Sequence, residues 1–159
     1  MTASALAAPL AWQSAIRGAV EEIATFALSF RSSAVGGAVE PTAVTGLVGA
    51  HIPLLGGPSP LELALVGRPD QCRDLAAAML QAADPSSISE PDTADAVCEI
   101  LNMLAGSVKR RVSSGDLELA LGLPVFVVGH VASTDKIAIT PLPARFGAIE
   151  MFVLVVGRR

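Results

Sequence analysis

Apolar residues recur at helical spacing in three parts of the chain. The spacing predicts a first helix over residues 12–30, a second over residues 68–83 and a third over residues 93–113. Pro69 is near the start of the second helix, where the missing N–H of proline does little harm. The apolar stripe of the first helix contains Ile16, Val20, Ile23, Ala24, Phe26, Ala27 and Phe30.

Runs rich in β-branched residues lie between and after these helices. Two of them, residues 42–52 and 61–67, flank the turn sequence LLGGPSP, which predicts a β-hairpin. The sequence SSAVGGAV breaks the first helix, and DPSSISEPDT predicts a polar linker before the third. Four further runs follow the third helix: LELALG, PVFVVGH, KIAIT and GAIEMFVLVVG.

The order of these elements is helix, strands, two helices and strands, which divides the chain into two loosely equivalent halves. This order is not the strict strand–helix alternation of a parallel sheet. It predicts an α+β fold, in which an antiparallel β-sheet carries two long helices packed on it.

The composition limits the class of protein. A length of 159 residues predicts a single domain over residues 1–159, with residues 1–10 as a flexible lead-in. Hydrophobic residues make up 52% and charged residues 16%, which indicates extra buried surface such as an oligomer interface. The uncharged run over residues 41–61 is interrupted by glycines and prolines, so no spanning helix and no membrane association are expected.

The charge and the reactive side chains exclude several functions. A net charge of −4 without a basic stripe argues against a nucleic-acid partner. Cys72 and Cys98 stand alone on predicted helices, and with no signal peptide they indicate reduced thiols in the cytoplasm. His51 and His130 are isolated, so we expect structural or exposed histidines and no metal site.

The third helix, which contains DAVCEILNMLAGSVKRR, has an unusual polar face. On a helical wheel, its core stripe consists of Val97, Leu101, Leu104, Val108 and Val112. The opposite face holds Asp95, Glu99, Asn102, Gly106 and Ser113, with Lys109 and Arg110 at its margins. Asparagine competes for backbone hydrogen bonds, and glycine costs about 1 kcal/mol relative to alanine in a helix. Two such residues on one exposed stripe indicate a functional face, although Glu-x-x-Asn is a short pattern and a helical glycine can also fit a neighbouring strand.

This helix closely resembles the signature helix of the CheX branch of the CheC/CheX/FliY chemotaxis phosphatases. The signature has an Asp, then Glu-x-x-Asn, Ala-Gly and a Lys, which correspond here to Asp95, Glu99, Asn102, Ala105, Gly106 and Lys109. LPVFVVGH resembles the Leu-Pro-x-Val-Val-x-Gly strand of the family, and ITPLPARFGAIEMFVLVV resembles its closing strand pair. The resemblance covers most of the chain after Leu10 and is strongest from Asp92 onward.

The resemblance implies a CheC-like pseudo-repeat and hydrolysis of the aspartyl phosphate on a CheY-like response-regulator receiver. Asn102 would orient the attacking water, as the water-positioning glutamine does in GTPases. Glu99 would pair with the lysine of the receiver. The chain would need no cofactor or metal of its own, because the receiver brings a divalent metal, expected to be Mg. Partner contacts would come from Gly106, which lets the receiver approach, and from the rim residues Asp95, Lys109 and Arg110.

The resemblance also implies a homodimer joined through sheet edges and one active helix per chain. In the first helix, Glu21 and Glu22 are followed three residues later by Ala24 and Thr25 instead of asparagine. In the third helix the chain departs from the family pattern at Cys98, Ser107 and Val108. Two alternatives to catalysis stay open. One is a non-catalytic adaptor that docks on a receiver or a flagellar-switch-like assembly, and the other is a scaffold that assembles through its sheet edge.

Overall fold

The computed structural model describes residues 3–57, 61–112 and 118–159 of the chain. Its long helices are α1 (Ala3–Glu22), which continues into a π-helix (Ile23–Ala27), α2 (Pro69–Leu80) and α3 (Glu90–Val112). Short 3₁₀ segments occur at Pro41–Val44 and Pro85–Ser87. The strands are β1 (Ser33–Val35), β2 (Val48–Leu55), β3 (Leu61–Gly67), β4 (Ala120–Leu121), β5 (Val125–Val127), β6 (Ile137–Phe146) and β7 (Ile149–Arg158). Within the described ranges, no helix combines the length and the apolar character needed to cross a membrane.

The strands form one antiparallel sheet in the order β1-β6-β7-β3-β2-β4, with β5 also paired to β2. The predicted hairpin is confirmed, since β2 pairs with β3 from Val48↔Gly67 to Leu54↔Leu61. Residues 58–60 of its predicted turn lie outside the described residues. A second hairpin, β6–β7, follows the third helix, and the two hairpins meet where β3 pairs with β7. The predicted α+β class, with an antiparallel sheet and two long helices on it, is confirmed.

The apolar core lies between the sheet and the helices. The predicted core stripe of α3 is confirmed for Val97, Leu101, Leu104 and Val108, which are fully buried, and its last member, Val112, is half-buried against the same core. Fully burying an aliphatic side chain contributes roughly 1.5–3 kcal/mol, so this stripe holds α3 firmly on the sheet. Facing side chains of the sheet include Ile52, Leu54, Leu63, Leu65, Leu142, Phe146, Met151 and Val153.

Strand β1 lies in the segment predicted only as a helix break. It pairs with β6, and two further backbone bonds run from Gly36 N to Pro143 O and from Val39 N to Pro141 O. Pro141 and Pro143 have no backbone N–H to donate to this segment, so β6 forms fewer backbone hydrogen bonds along this edge. A three-residue strand is too short to show a period of two in the sequence.

The first and third helices begin earlier than predicted, and the first two helices end three residues earlier, at Ala27 and Leu80. Helix α1 begins at Ala3 instead of Trp12, because the alanine-rich lead-in has high helix propensity. Residues 1 and 2 lie outside the described part, and the flexibility of the lead-in stays a prediction. Helix α3 begins at Glu90 instead of Thr93, because Ser89 caps it earlier. The predicted end of α3 at Ser113 also lies outside the described residues.

Candidate functional site

Helix α3 carries the candidate site, and its ends are stabilised by its own sequence. The hydroxyl of Ser89 accepts a hydrogen bond from the backbone N–H of Asp92 at 3.1 Å, as an N-cap residue does. Acidic residues lie in the first turn and basic residues in the last, which complements the helix dipole. The helix packs on β2 and contacts both α1 and α2, and one face remains open to solvent.

The six predicted site residues share this open face. Asp95, Glu99 and Arg110 are exposed, whereas Asn102, Gly106 and Lys109 are half-buried. Glu99 and Asn102 are three residues apart, so their side chains are neighbours on the helix surface. Within the described part of the chain, neither of these two side chains forms a hydrogen bond or an ion pair. Both therefore keep their full hydrogen-bonding capacity for another molecule.

Gly106 leaves open space beside Asn102. A Cβ atom built on Gly106 would meet only Nη1 of Arg110, at 3.9 Å, among the described atoms outside its own helix backbone. Gly67 differs, because its Cβ would lie 2.5 Å from Sδ of Met151. The described structure therefore gives no support to the alternative that Gly106 fits a neighbouring strand.

An ionic cluster joins the end of α1 to α3 beside this face. The Glu22 carboxylate accepts hydrogen bonds from Ser107 Oγ at 2.5 Å, from Arg110 Nη2 at 2.7 Å and from Arg111 Nη2 at 3.0 Å. The hydrogen bond from Ser107 is the main cause that lowers the pKa of Glu22, and both arginines add to it against the effect of burial. Arg111 also donates to the carbonyl of Gly18 at 3.2 Å. Arg110, expected at the rim of a partner contact, thus has an intramolecular partner.

Two residues near the site were missed by the sequence analysis. Glu22 was considered only as part of a second catalytic motif, and no local pattern indicates a partner 85 residues away. The same bond explains why α3 has a fully buried serine at position 107, where the family pattern has another residue. Phe26 was predicted in the apolar stripe of the first helix, yet it is 84% exposed. The prediction of Phe26 is wrong because the helix widens into a π-helix after Glu22, which changes the angle per residue.

The cysteines do not take part in the site chemistry. Cys98 on α3 is half-buried, and burial, helped by the charge of Asp95, raises the pKa of its thiol. Cys72 is fully buried, and burial raises the pKa of its thiol to about 11. A raised pKa favours the protonated thiol over the reactive thiolate, which is typical of cysteines that pack as small apolar residues.

The histidines also lie away from the site. His51 is buried in the middle of β2, and its Nδ1 lies 2.5 Å from Oε1 of Glu62 on β3. His130 is exposed in the loop after β5. The residues that the structure describes contain no group of three or more His, Cys, Asp or Glu side chains placed to hold a metal ion.

Solved structures of known proteins share this fold. The chemotaxis protein CheX from Vibrio vulnificus matches with a TM-score of 0.72 at 17% identity, over 91% of this chain and 97% of that one. A CheC-like superfamily protein from Shewanella sp. PV-4 matches with a TM-score of 0.70 at 19% identity, over 92% and 97%. The CheX–CheY–BeF3–Mg complex from Borrelia burgdorferi matches with a TM-score of 0.70 at 12% identity, over 92% and 96%. At these identities the likeness establishes the fold alone.

Comparison of the sequence with known sequences and family profiles identifies the family. No curated protein matches the chain. The family profile described as chemotaxis phosphatase CheX matches residues 48–138, which is more than half of the chain and includes all of α3. The chain therefore belongs to the CheX family of chemotaxis phosphatases.

Proposed function

We propose that the chain hydrolyses the aspartyl phosphate of a CheY-like response-regulator receiver, with Asn102 orienting the attacking water and Glu99 pairing with the receiver's lysine. One observation carries the proposal: Glu99 and Asn102 lie side by side on the open face of α3 without partners in the described structure. Membership in the CheX family supports the reaction, and the Borrelia complex of CheX with CheY supports a partner of this kind.

The chemistry requires little from this chain beyond placement of a water molecule. An aspartyl phosphate is a reactive phosphoryl donor. As the water oxygen bonds to phosphorus, the bond from phosphorus to the carboxylate oxygen breaks, and a water proton passes to the phosphate product. The carboxamide of Asn102 has both acceptor and donor atoms, so it can hold a water in line with the bond that breaks. Orientation of this kind lowers the barrier without a strong base.

The neighbouring Glu99 would contribute affinity and register. Its exposed carboxylate can receive a charge-assisted hydrogen bond from the receiver's lysine, and such bonds are about twice as strong as neutral ones. Asp95 and Lys109 flank the pair on the same face and would contact the receiver at the rim, where exposed charges contribute little. The receiver would supply the divalent metal, expected to be Mg, so the proposal assigns this chain no cofactor.

Phosphate release from phosphorylated receivers tests the proposal. The wild-type chain should accelerate release, and Asn102→Ala should lower kcat at least about a hundredfold, the size of effect expected when a reacting group is misplaced. Binding of Asn102→Ala to a receiver that carries beryllofluoride and Mg should be retained. Glu99→Ala should weaken this binding about tenfold or more, because a hydrogen bond to a charged group contributes roughly 1.5–3 kcal/mol.

The controls separate catalysis from folding. Alanine has a higher helix propensity than asparagine, so Asn102→Ala should not unfold α3. Glu21→Ala removes another exposed glutamate, from the side of α1 that lines a groove with β1, and it should leave both rate and affinity unchanged. Undiminished phosphate release by Asn102→Ala would refute the proposed role of this residue. Binding without hydrolysis by the wild type would favour the adaptor function instead.

We also propose that the chain forms a homodimer through the sheet edge at β4 and β5. Several large apolar side chains are exposed there, and apolar surface that clusters at one place marks interaction sites. These side chains are Leu55, Leu123, Val125 and Val128, which are 53%, 84%, 56% and 79% exposed. We place the protein in the cytoplasm, because the proposed substrate is a cytoplasmic receiver.

A further inference from the structure

Phe26 is an exposed aromatic residue that the fold of the chain itself does not use. It is 84% exposed, while its neighbours Ile23, Ala24 and Leu28 are all buried in the core. A single exposed apolar residue is common in proteins and proves nothing by itself. Whether the exposed Phe26 has a function therefore depends on its position relative to α3.

The π-helix aims Phe26 outward. The backbone N–H of Leu28 bonds to the carbonyl of Ile23, five residues earlier, and Ser29 ends the helix with a φ of +57°. In this wider turn the Phe26 side chain is 84% exposed, while Ile23 and Leu28 remain in the core. π-helices occur mostly as single turns within helices, and such turns are frequent at functional sites.

Contacts between α1 and α3 fix the level of Phe26. Arg111 donates a hydrogen bond to the carbonyl of Gly18, and Ser107 donates one to the carboxylate of Glu22. Moving four residues toward the C-terminus of α1 therefore corresponds to moving four residues toward the N-terminus of α3. The helices are therefore antiparallel. Continuing this register by four more residues places Phe26 at the same height along the paired helices as Met103. Met103 directly follows Asn102 in the sequence.

Phe26 also lies on the side of α1 that is turned toward the open face of α3. Gly18 and Glu22 both bond to α3, and Phe26 follows Glu22 by four residues, nearly one full turn of the π-helix. Glu22 reaches Arg110, whose side chain is exposed at the margin of the open face. The aromatic ring is thus at the border of the surface that contains Glu99 and Asn102.

We propose that Phe26 is a docking residue, which inserts into an apolar surface of the receiver beside its phosphorylation site. This inference rests on the proposed function, and it names a contact that the α3 motif does not include. The occupant is the receiver because any domain that brings its phosphoryl group to Asn102 must cover the surface next to Phe26. Aromatic side chains are enriched among the few residues that dominate binding energy at interfaces.

Measurements of binding and kinetics with the 159-residue chain test the inference. The probe is a CheY-like receiver charged with beryllofluoride and Mg for affinity, and phosphorylated receiver for turnover. Phe26→Ala should raise Kd and KM about tenfold and leave kcat unchanged. Phe26→Tyr keeps the ring and should restore both values. Val39→Ala truncates an exposed apolar residue in the loop beside β6, and it should behave as the wild type.

The outcomes distinguish this inference from the proposed function. Equal Kd and KM for Phe26→Ala and wild type, with Asn102→Ala inactive, would overturn the docking role and leave the phosphatase intact. A wild-type chain that binds the receiver without hydrolysing it would overturn the phosphatase, while the effect of Phe26→Ala on Kd would still decide the docking role. A wild-type chain that binds no receiver would overturn both. Because Phe26 is exposed, the alanine variant should fold, and its unfolding curve verifies this.

Discussion

Replacing Gly106 by alanine separates a docking role of this glycine from a packing role. Alanine is more favourable than glycine by about 0.5–1 kcal/mol in the interior of a helix. The added methyl group would meet only Arg110 Nη1, at 3.9 Å, which is an ordinary contact. We therefore expect the free energy of unfolding to rise by about 0.5–1 kcal/mol, which for a chain of this size raises Tm by roughly 1–4 °C.

Denaturant unfolding of Gly106→Ala and of a matched glycine variant measures this effect. Gly49→Ala would place its methyl 2.7 Å from Cα of Val66 in the neighbouring strand β3, and overpacking of this kind costs typically about 1–3 kcal/mol. The two variants should thus shift stability in opposite directions. Gly106→Ala should at the same time weaken receiver binding, and the bulkier Gly106→Trp should abolish it.

Two results would refute the reasoning about Gly106. A loss of stability in Gly106→Ala would mean that the glycine is needed by the packing or backbone of α3. A gain of stability with unchanged receiver binding, also in Gly106→Trp, would mean that the open surface beside Asn102 is not used. The second result would not affect the described fold, but Gly106 would no longer support the proposed approach of the receiver to Asn102.

Two further predictions concern other parts of the molecule. The folded pKa of Glu22 is lowered, so the stabilisation from its cluster is fully present above the ordinary value of 4.5 and is lost as the pH falls through the lowered folded value. The Tm difference between wild type and Glu22→Gln should therefore be constant from pH 7 to about 5 and shrink below pH 4.5; an unchanged difference at pH 3 would contradict the assigned pairing. At the sheet edge, the double substitution of Val125 and Val128 by lysine should convert a dimer to a monomer in sedimentation experiments, whereas Val39→Lys should not. A wild-type monomer, or a dimer that survives both lysines, would rule out this edge.

The sequence predicted the two faces of α3 because both depend on a single helical period. Burial of Leu101 and Leu104 and exposure of Glu99 follow from that period. The hairpin β2–β3 was predictable for a similar reason, since its turn residues and its strands are adjacent in the sequence. Local sequence patterns of this kind predict the structure correctly when the helix or strand is regular.

Features that depend on distant or irregular contacts could not be predicted. Pairing of Glu22 with Ser107 joins residues 85 positions apart, and nothing near either residue indicates the other. Strand β1 exists because it pairs with β6, and its three residues carry no periodic pattern. The exposure of Phe26 depends on one π turn, which a fixed angle of 100° per residue cannot represent.

Gly106, Asn102 and Phe26 each go against a local structural preference. Because all three lie near one surface, their location argues for a partner. Gly106 and Asn102 lower the helix propensity of α3, and Phe26 leaves an aromatic ring in water. Each of these features disfavours the isolated chain, and the described structure contains no contact that offsets any of them. Local preferences in natural proteins usually agree with the fold, and the exceptions concentrate at functional sites. A receiver that covers Asn102, approaches over Gly106 and takes in the ring of Phe26 would offset all three at once, whereas a scaffold that assembles only through its sheet edge would offset none.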